Sequence, residues 1–221
     1  MIVLLIALVA FVGSHLLLSH PLRAPLVGAL GERGFSGVYS LVALGTLGLS
    51  VWAFKQAPVG LYLWLPPQWA WYAAVPVMLF ASILFVGSMT APNPALMGGK
   101  ATANGPRGVQ RITRHPMMWS FALWAVVHAF VSGDARTVAL CFAIGFLALV
   151  GAWFQDGKKR EQLGAGWGAH EAATSFVPFG RPSVGALNPG IIALVGGVAV
   201  FALATWAHPY LGGPALWSMI A

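Results

Sequence analysis

Long apolar runs separated by short connections set the plan of this chain. Six stretches, 1–19, 36–54, 70–89, 116–132, 137–154 and 190–208, come close to the ~20 apolar residues a helix needs to cross a bilayer. The pattern predicts an all-α, polytopic membrane helix bundle of about six transmembrane helices, forming a single domain over 1–221. Ser132-Gly133-Asp134-Ala135-Arg136, between the fourth and fifth runs, reads as the turn of a tight helical hairpin. Pro116 suits the first turn of the fourth helix, where its missing N–H leaves nothing unsatisfied, and Pro76 is placed to kink the third. The connection Thr90–Thr113 is rich in Gly and Pro, and Gln155–Ala173 reads as a surface helix with a solvated, mixed-charge start.

Composition supports the bilayer. The chain is 58% hydrophobic and 8% charged, where a soluble domain carries about 25% charged residues. A net charge of +7 would suit a nucleic-acid partner, but the cations sit in the connections between apolar runs, so no nucleic-acid binding is expected. They report topology instead. Arg23 and Arg33 lie in the first connection, Lys100, Arg107, Arg111 and Arg114 in the third, and Lys158, Lys159, Arg160 and Arg181 in the fifth. Lys55 and Arg136 alone lie on the other side. The positive-inside rule then puts connections one, three and five in the cytoplasm and both termini in the periplasm. Reporter fusions at Ala57 and Asp134 are expected to read as periplasmic and fusions at Gly99 and Gly168 as cytoplasmic. Reversal at any two sites breaks the six-span plan. The first run lacks a basic leader and a good cleavage site, so it reads as a retained helix. The aromatic stretch Tyr62–Tyr72 reads as an interfacial belt.

Chemistry has few places to reside. Cys141 is the single cysteine, which rules out an internal disulfide, and no Cys-x-x-Cys-His is present for covalent haem attachment. No HExxH, nucleotide-binding glycine loop or GxSxG occurs. None of the five acidic residues falls inside a predicted span, which argues against proton pumping through an intramembrane carboxylate. Two histidines do lie inside otherwise uncharged runs: His15 and His128. A polar ring there needs a partner. His128 shares a helix face with Trp124 and Phe121, and His15 with Phe11 and Leu8. Two readings stand for each: a metal or haem ligand, or a packing histidine bonded to backbone or a serine hydroxyl. At the start of the fourth helix, Arg111, Arg114 and His115 crowd together ahead of Pro116. They are placed to hold an anion, such as haem propionates or a lipid phosphate, or to act as a plain topology anchor. His170-Glu171 is a further adjacent acid–base pair.

The run Gln110-Arg111-Ile112-Thr113-Arg114-His115-Pro116-Met117-Met118, with Trp124-Ala125-Val126-Val127-His128, resembles the NnrU family of bacterial membrane proteins. Gly13-Ser14-His15, Gly31-Glu32-Arg33, Thr174–Phe179 and Ala207-His208-Pro209 extend the resemblance along nearly the whole chain. The family is tied to denitrification and nitric-oxide metabolism and is related to the plant 15-cis-ζ-carotene isomerase. The resemblance implies a bacterial inner-membrane protein with non-covalent haem b, His15 and His128 as axial metal ligands, and Arg111, Arg114 and His115 as cofactor-binding residues. It also implies a redox-dependent isomerase or electron-transfer role, with a hydrophobic small molecule or a redox protein as partner beside the lipid bilayer. The isomerase carries a cysteine three residues before its second ligand. Ala125 stands there, so a Cys/His ligand exchange is not open to this chain. The alternatives are a membrane methyltransferase using S-adenosylmethionine, since the Arg-His-Pro run is shared with such enzymes, and a non-enzymatic transporter or assembly factor.

Overall fold

The computed structural model describes residues 1–90, 92–96, 99, 105–181 and 184–220; Lys100 lies outside them. The described chain is helical, with no strand: α1 (Ile2–Ser19), α2 (Arg23–Gln56), α3 (Gln68–Thr90), α4 (Pro116–Ser132), α5 (Ala135–Leu163), α6 (Ala165–Ala173), α7 (Ile191–Ala207) and α8 (Leu216–Ile220). The six predicted runs correspond to α1 to α5 and α7. By length and composition α1, α2, α3, α5 and the segment Gly185–Leu211 that holds α7 can each cross a membrane, while α4 is a shorter apolar helix.

Three boundaries differ from the apolar runs, each for a local reason. α2 begins at Arg23, well before residue 36, and is broken at Gly31, whose φ of 69° and ψ of 168° are not helical. α5 continues nine residues past 154, to Leu163. The predicted surface helix Gln155–Ala173 is therefore split at Gly164 into the end of α5 and the separate α6. Pro76 lies within α3.

The helices pack as a row rather than a closed ring. α2 and α1 pack on each other and on α5, α5 packs on α4, α4 on α3, and α3 on α7. The helix sides left uncovered are apolar: Ile6, Val9, Leu41, Leu44, Val195 and Leu203 are all exposed, as a bilayer-facing surface requires. Close approach depends on small residues. A Cβ on Gly197 would come within 2.6 Å of the Ile83 Cα, so α7 lies directly on the α3 backbone.

The α4–α5 hairpin is held by the segment before α3. Gly133 ends α4 at φ 64°, and Asp134 caps α5, accepting from the N–H groups of Arg136 (3.2 Å) and Thr137 (3.4 Å). Across this turn lies 60–64. Leu63 N–H donates to the Gly133 carbonyl (2.8 Å), Ala135 N–H to that of Leu61 (2.9 Å), and Trp64 Nε1–H to that of Phe130 (2.9 Å). Tyr62, Trp69 and Tyr72 are exposed as an interfacial belt would be, whereas Trp71 is buried in the bundle.

Candidate functional site

At the end of the bundle that gathers connections three and five, α4 and α5 bring opposite charges together below the surface. Arg114 lies just before α4. Its Nε donates to both oxygens of Asp156 (3.1 and 3.0 Å), and its Nη2 donates to Asp156 Oδ2 at 2.5 Å. His115 Nε2 bonds the other face of the same carboxylate, 2.6 Å from Oδ1. Arg114 Nη2 also reaches Glu171 Oε1 at 3.5 Å, and Glu171 is in turn gripped by the more exposed Arg160 at 2.5 and 3.0 Å. Arg114, His115 and Asp156 are all buried, at 9%, 2% and 3% exposure. Such charges are stable below the surface only because each meets its counterpart.

The backbone around them is fixed by connection five. Arg114 N–H donates to the Ser175 carbonyl (2.8 Å), Phe179 N–H to that of Ile112 (2.8 Å), and the Thr113 hydroxyl to that of Phe176 (2.6 Å). Trp119 Nε1–H donates to the same Phe176 carbonyl (2.8 Å). The Phe176 ring lies 5.4 Å from both the Arg114 guanidinium carbon and the His115 ring centre. From the other side, Lys159 Nζ donates to the Leu96 carbonyl (2.6 Å) and Gln155 Nε2 to that of Ala95. A cavity of about 10 Å³, room for roughly one water, borders His115 together with Asn93, Leu96, Met117, Met118 and Gln155.

Burial lowers the pKa of His115, against the raising pull of the Asp156 hydrogen bond and charge. The ring holds Asp156 through Nε2, and Nδ1 takes no hydrogen bond among the described residues. Among the described residues, Nε1 of Trp167 and Nε2 of His170, both buried on α6, have no hydrogen-bond partner. Burial, and then the electrostatic influence of His115 and Arg114, push the His170 pKa down to about 4. His170 is neutral at pH 7.

The site residues expected from sequence separate into four places. Arg114 and His115 belong to this cluster, and the anion they hold is an internal carboxylate. Arg111 is exposed and turns away, its Nε donating to the Pro106 carbonyl at 3.1 Å. The reading of Asp156 and Lys159 as a solvated face is corrected: both are 3% exposed. Their signal is a stripe of small buried residues, Cys141, Ala148 and Ala152, whose helical spacing runs on through Asp156 and Lys159.

His15 and His128 lie elsewhere. Each leans one turn back and bonds through Nδ1 to the carbonyl four residues before it, His15 to Phe11 (2.7 Å) and His128 to Trp124 (2.9 Å). The Nε2 atoms are left without hydrogen bonds. Each ring is thus held by its own helix through Nδ1. As a pair they do not fit one iron in this arrangement, because α5 stands between them. On α5, Gly145 meets Ala125 of α4 and Asp156 meets His115, whereas Ala143 packs with Leu4 and Leu8 of α1 and Phe154 meets His20. At 100° per residue those two sets of positions lie on roughly opposite sides of the helix. His15 packs edge-on to Tyr39 of α2, and His128 stacks on Trp124. Ala125 is buried at the α4–α5 contact, one helical turn before His128.

The chain matches the sequence profile of the NnrU protein family over residues 3–215. This chain belongs to the NnrU family. Among curated proteins, it is similar to the chloroplastic 15-cis-zeta-carotene isomerase of Arabidopsis thaliana. The two are 28% identical over 160 residues, which cover 68% of this chain and 42% of that protein. It is also 32% identical over 74 residues to the chloroplastic 15-cis-zeta-carotene isomerase of Zea mays, covering 33% and 20% of the two chains. The chain thus spans less than half the length of the curated relatives it matches. No solved structure matches it.

Proposed function

We propose that this NnrU-family chain is a membrane-embedded isomerase acting on an apolar substrate that carries a double bond and enters from the lipid phase. The observation that carries the proposal is the His115–Asp156 pair, a buried imidazole oriented by a carboxylate at the mouth of α4, in a chain similar to carotene isomerases. Isomerisation moves no net atoms. A group that delivers a proton to one carbon of the substrate, and takes one back as the double bond reforms, ends as it began. His115 suits that role: Asp156 fixes the ring and favours its charged form, burial favours the neutral form, and Nδ1 is left for the substrate. Arg114 is the positioning residue that holds Asp156 beneath the ring.

Haem b is the cofactor proposed with this reading, and when bound it would supply one-electron chemistry. His15 or His128 would hold it, one or the other. The support for a link to nitric-oxide metabolism and for a bacterial inner-membrane location is the family and the distribution of Lys and Arg.

The test is conversion of 15-cis-ζ-carotene, the compound in the relatives' name, by the purified protein in lipid nanodiscs, followed by chromatography of the isomers. The 15-cis isomer is expected to decline relative to empty discs, and His115→Ala to lower the rate at least a hundredfold, within the range for loss of a general acid–base group. An unchanged isomer ratio, with and without added haem and reductant, overturns the proposal.

A further inference from the structure

We infer that His128 and His208 form a two-imidazole site for one first-row transition-metal ion, at the end of the bundle away from the Arg114 cluster. The two residues are eighty apart in sequence. His128 lies on α4, and His208 opens the 3-10 turn His208–Leu211 that follows α7. α4 and α7 pack on α3, yet the two rings meet, with centres 6.0 Å apart and planes at 64°.

Both rings turn Nδ1 to a backbone carbonyl. Nδ1 of His128 bonds the Trp124 carbonyl at 2.9 Å, and Nδ1 of His208 bonds the Pro214 carbonyl at 2.8 Å. A neutral imidazole whose Nδ1–H is committed to a carbonyl keeps its lone pair on Nε2, and in neither ring does Nε2 make a hydrogen bond among the described residues. Each ring is also held in place. Trp124 stacks on His128 at 4.3 Å, and Gly213 lies so close to His208 that a Cβ there would overlap the ring.

The spacing suits shared coordination. An imidazole nitrogen binds a metal at about 2.0–2.1 Å, which puts the ring centre about 3 Å from the ion. Two rings on one ion then have centres about 5 Å apart at a tetrahedral angle and about 6 Å apart when opposed. No cluster of three or more His, Cys, Asp or Glu forms here among the described residues. Two protein ligands leave the remaining positions to water or to a planar nitrogen macrocycle. Imidazole pairs select copper, nickel, zinc or iron over magnesium and calcium. The metal thus comes either as a free ion or as porphyrin iron. This inference does not rest on the isomerase reading.

The experiment uses the full chain in detergent, stripped of metal, with Zn²⁺ titrated by calorimetry in one arm and haemin by absorption in the other. At least one arm is expected to show a single site that is weakened at least tenfold by His128→Ala and by His208→Gln, with His20→Ala unchanged. Zinc binding without a stable haemin complex identifies a free-ion site. A low-spin haemin spectrum that turns high-spin in both the 128 and the 208 variants identifies porphyrin iron. Circular dichroism of each variant confirms that its helix content is kept; a variant that loses it is replaced by His128→Gln or His208→Asn. The inference is overturned if neither probe binds the wild type, or if His208→Gln matches the wild type in both arms.

Discussion

Replacing Arg114 with Ala is expected to cost about 3–5 kcal/mol of folding stability, the penalty for leaving a buried charge without its partner. The residue left behind is Asp156, 3% exposed and then bonded only by His115. Asp156→Ala should cost a similar amount, because it strands Arg114 with only the more distant Glu171 at 3.5 Å. Removing both at once, as Arg114→Met with Asp156→Leu, should cost much less than the sum, since apolar side chains can replace a buried ion pair with little loss. The midpoint of unfolding in mixed detergent micelles reads all four corners of the cycle: the wild type, Arg114→Met, Asp156→Leu and the double variant. Additive losses would mean that the two side chains do not act as a pair. The same double variant keeps the fold while removing the support beneath His115, and so separates the structural from the chemical part of the cluster.

Gly133→Ala is the second large effect. The residue sits at φ 64°, where a side chain costs about 1–2 kcal/mol, and a Cβ there would run into the Trp64 carbonyl. Relief of that overlap requires moving the strap that pairs Leu63 with Gly133 and Leu61 with Ala135, an overpacking cost of about 1–3 kcal/mol. A total of about 2–5 kcal/mol is expected in the same unfolding assay. Gly151→Ala, on α5 with nothing within 4 Å of its added methyl, should be neutral or stabilising. Equal stability of the two variants would contradict the role given to the α4–α5 turn.

The helices themselves are plain in the sequence, because burial in lipid demands long apolar runs and nothing else in the chain imitates them. The end of α5 is not. Asp156-Gly157-Lys158-Lys159-Arg160-Glu161 has the composition of a solvated face, and only the spacing from Cys141 through Ala148 and Ala152 marks Asp156 and Lys159 as buried. Arg114 and His115 stand out by crowding at a helix start, yet their true anion is 42 residues away for one and 41 for the other. No local pattern announces it.

His15 and His128 are conspicuous as polar rings in apolar helices, and the structure gives both the same Nδ1-to-carbonyl bond. Their placement across α5 depends on which helix packs beside which, and neither depth nor spacing along the chain encodes that order. His208 carries the opposite lesson. Beside Pro209 at a helix end it reads as punctuation, and only the turn after α7 brings its ring to His128.

The most direct test of the central claim, that a buried Asp-oriented histidine serves a membrane isomerase, is the isomer ratio of a 15-cis polyene incubated in nanodiscs with three proteins: the wild type, His115→Ala and the Arg114→Met/Asp156→Leu double variant. Turnover by the wild type, with both folded variants slowed at least a hundredfold, is the predicted result. A wild type that leaves the ratio unchanged, or variants that work as fast as the wild type, would contradict it.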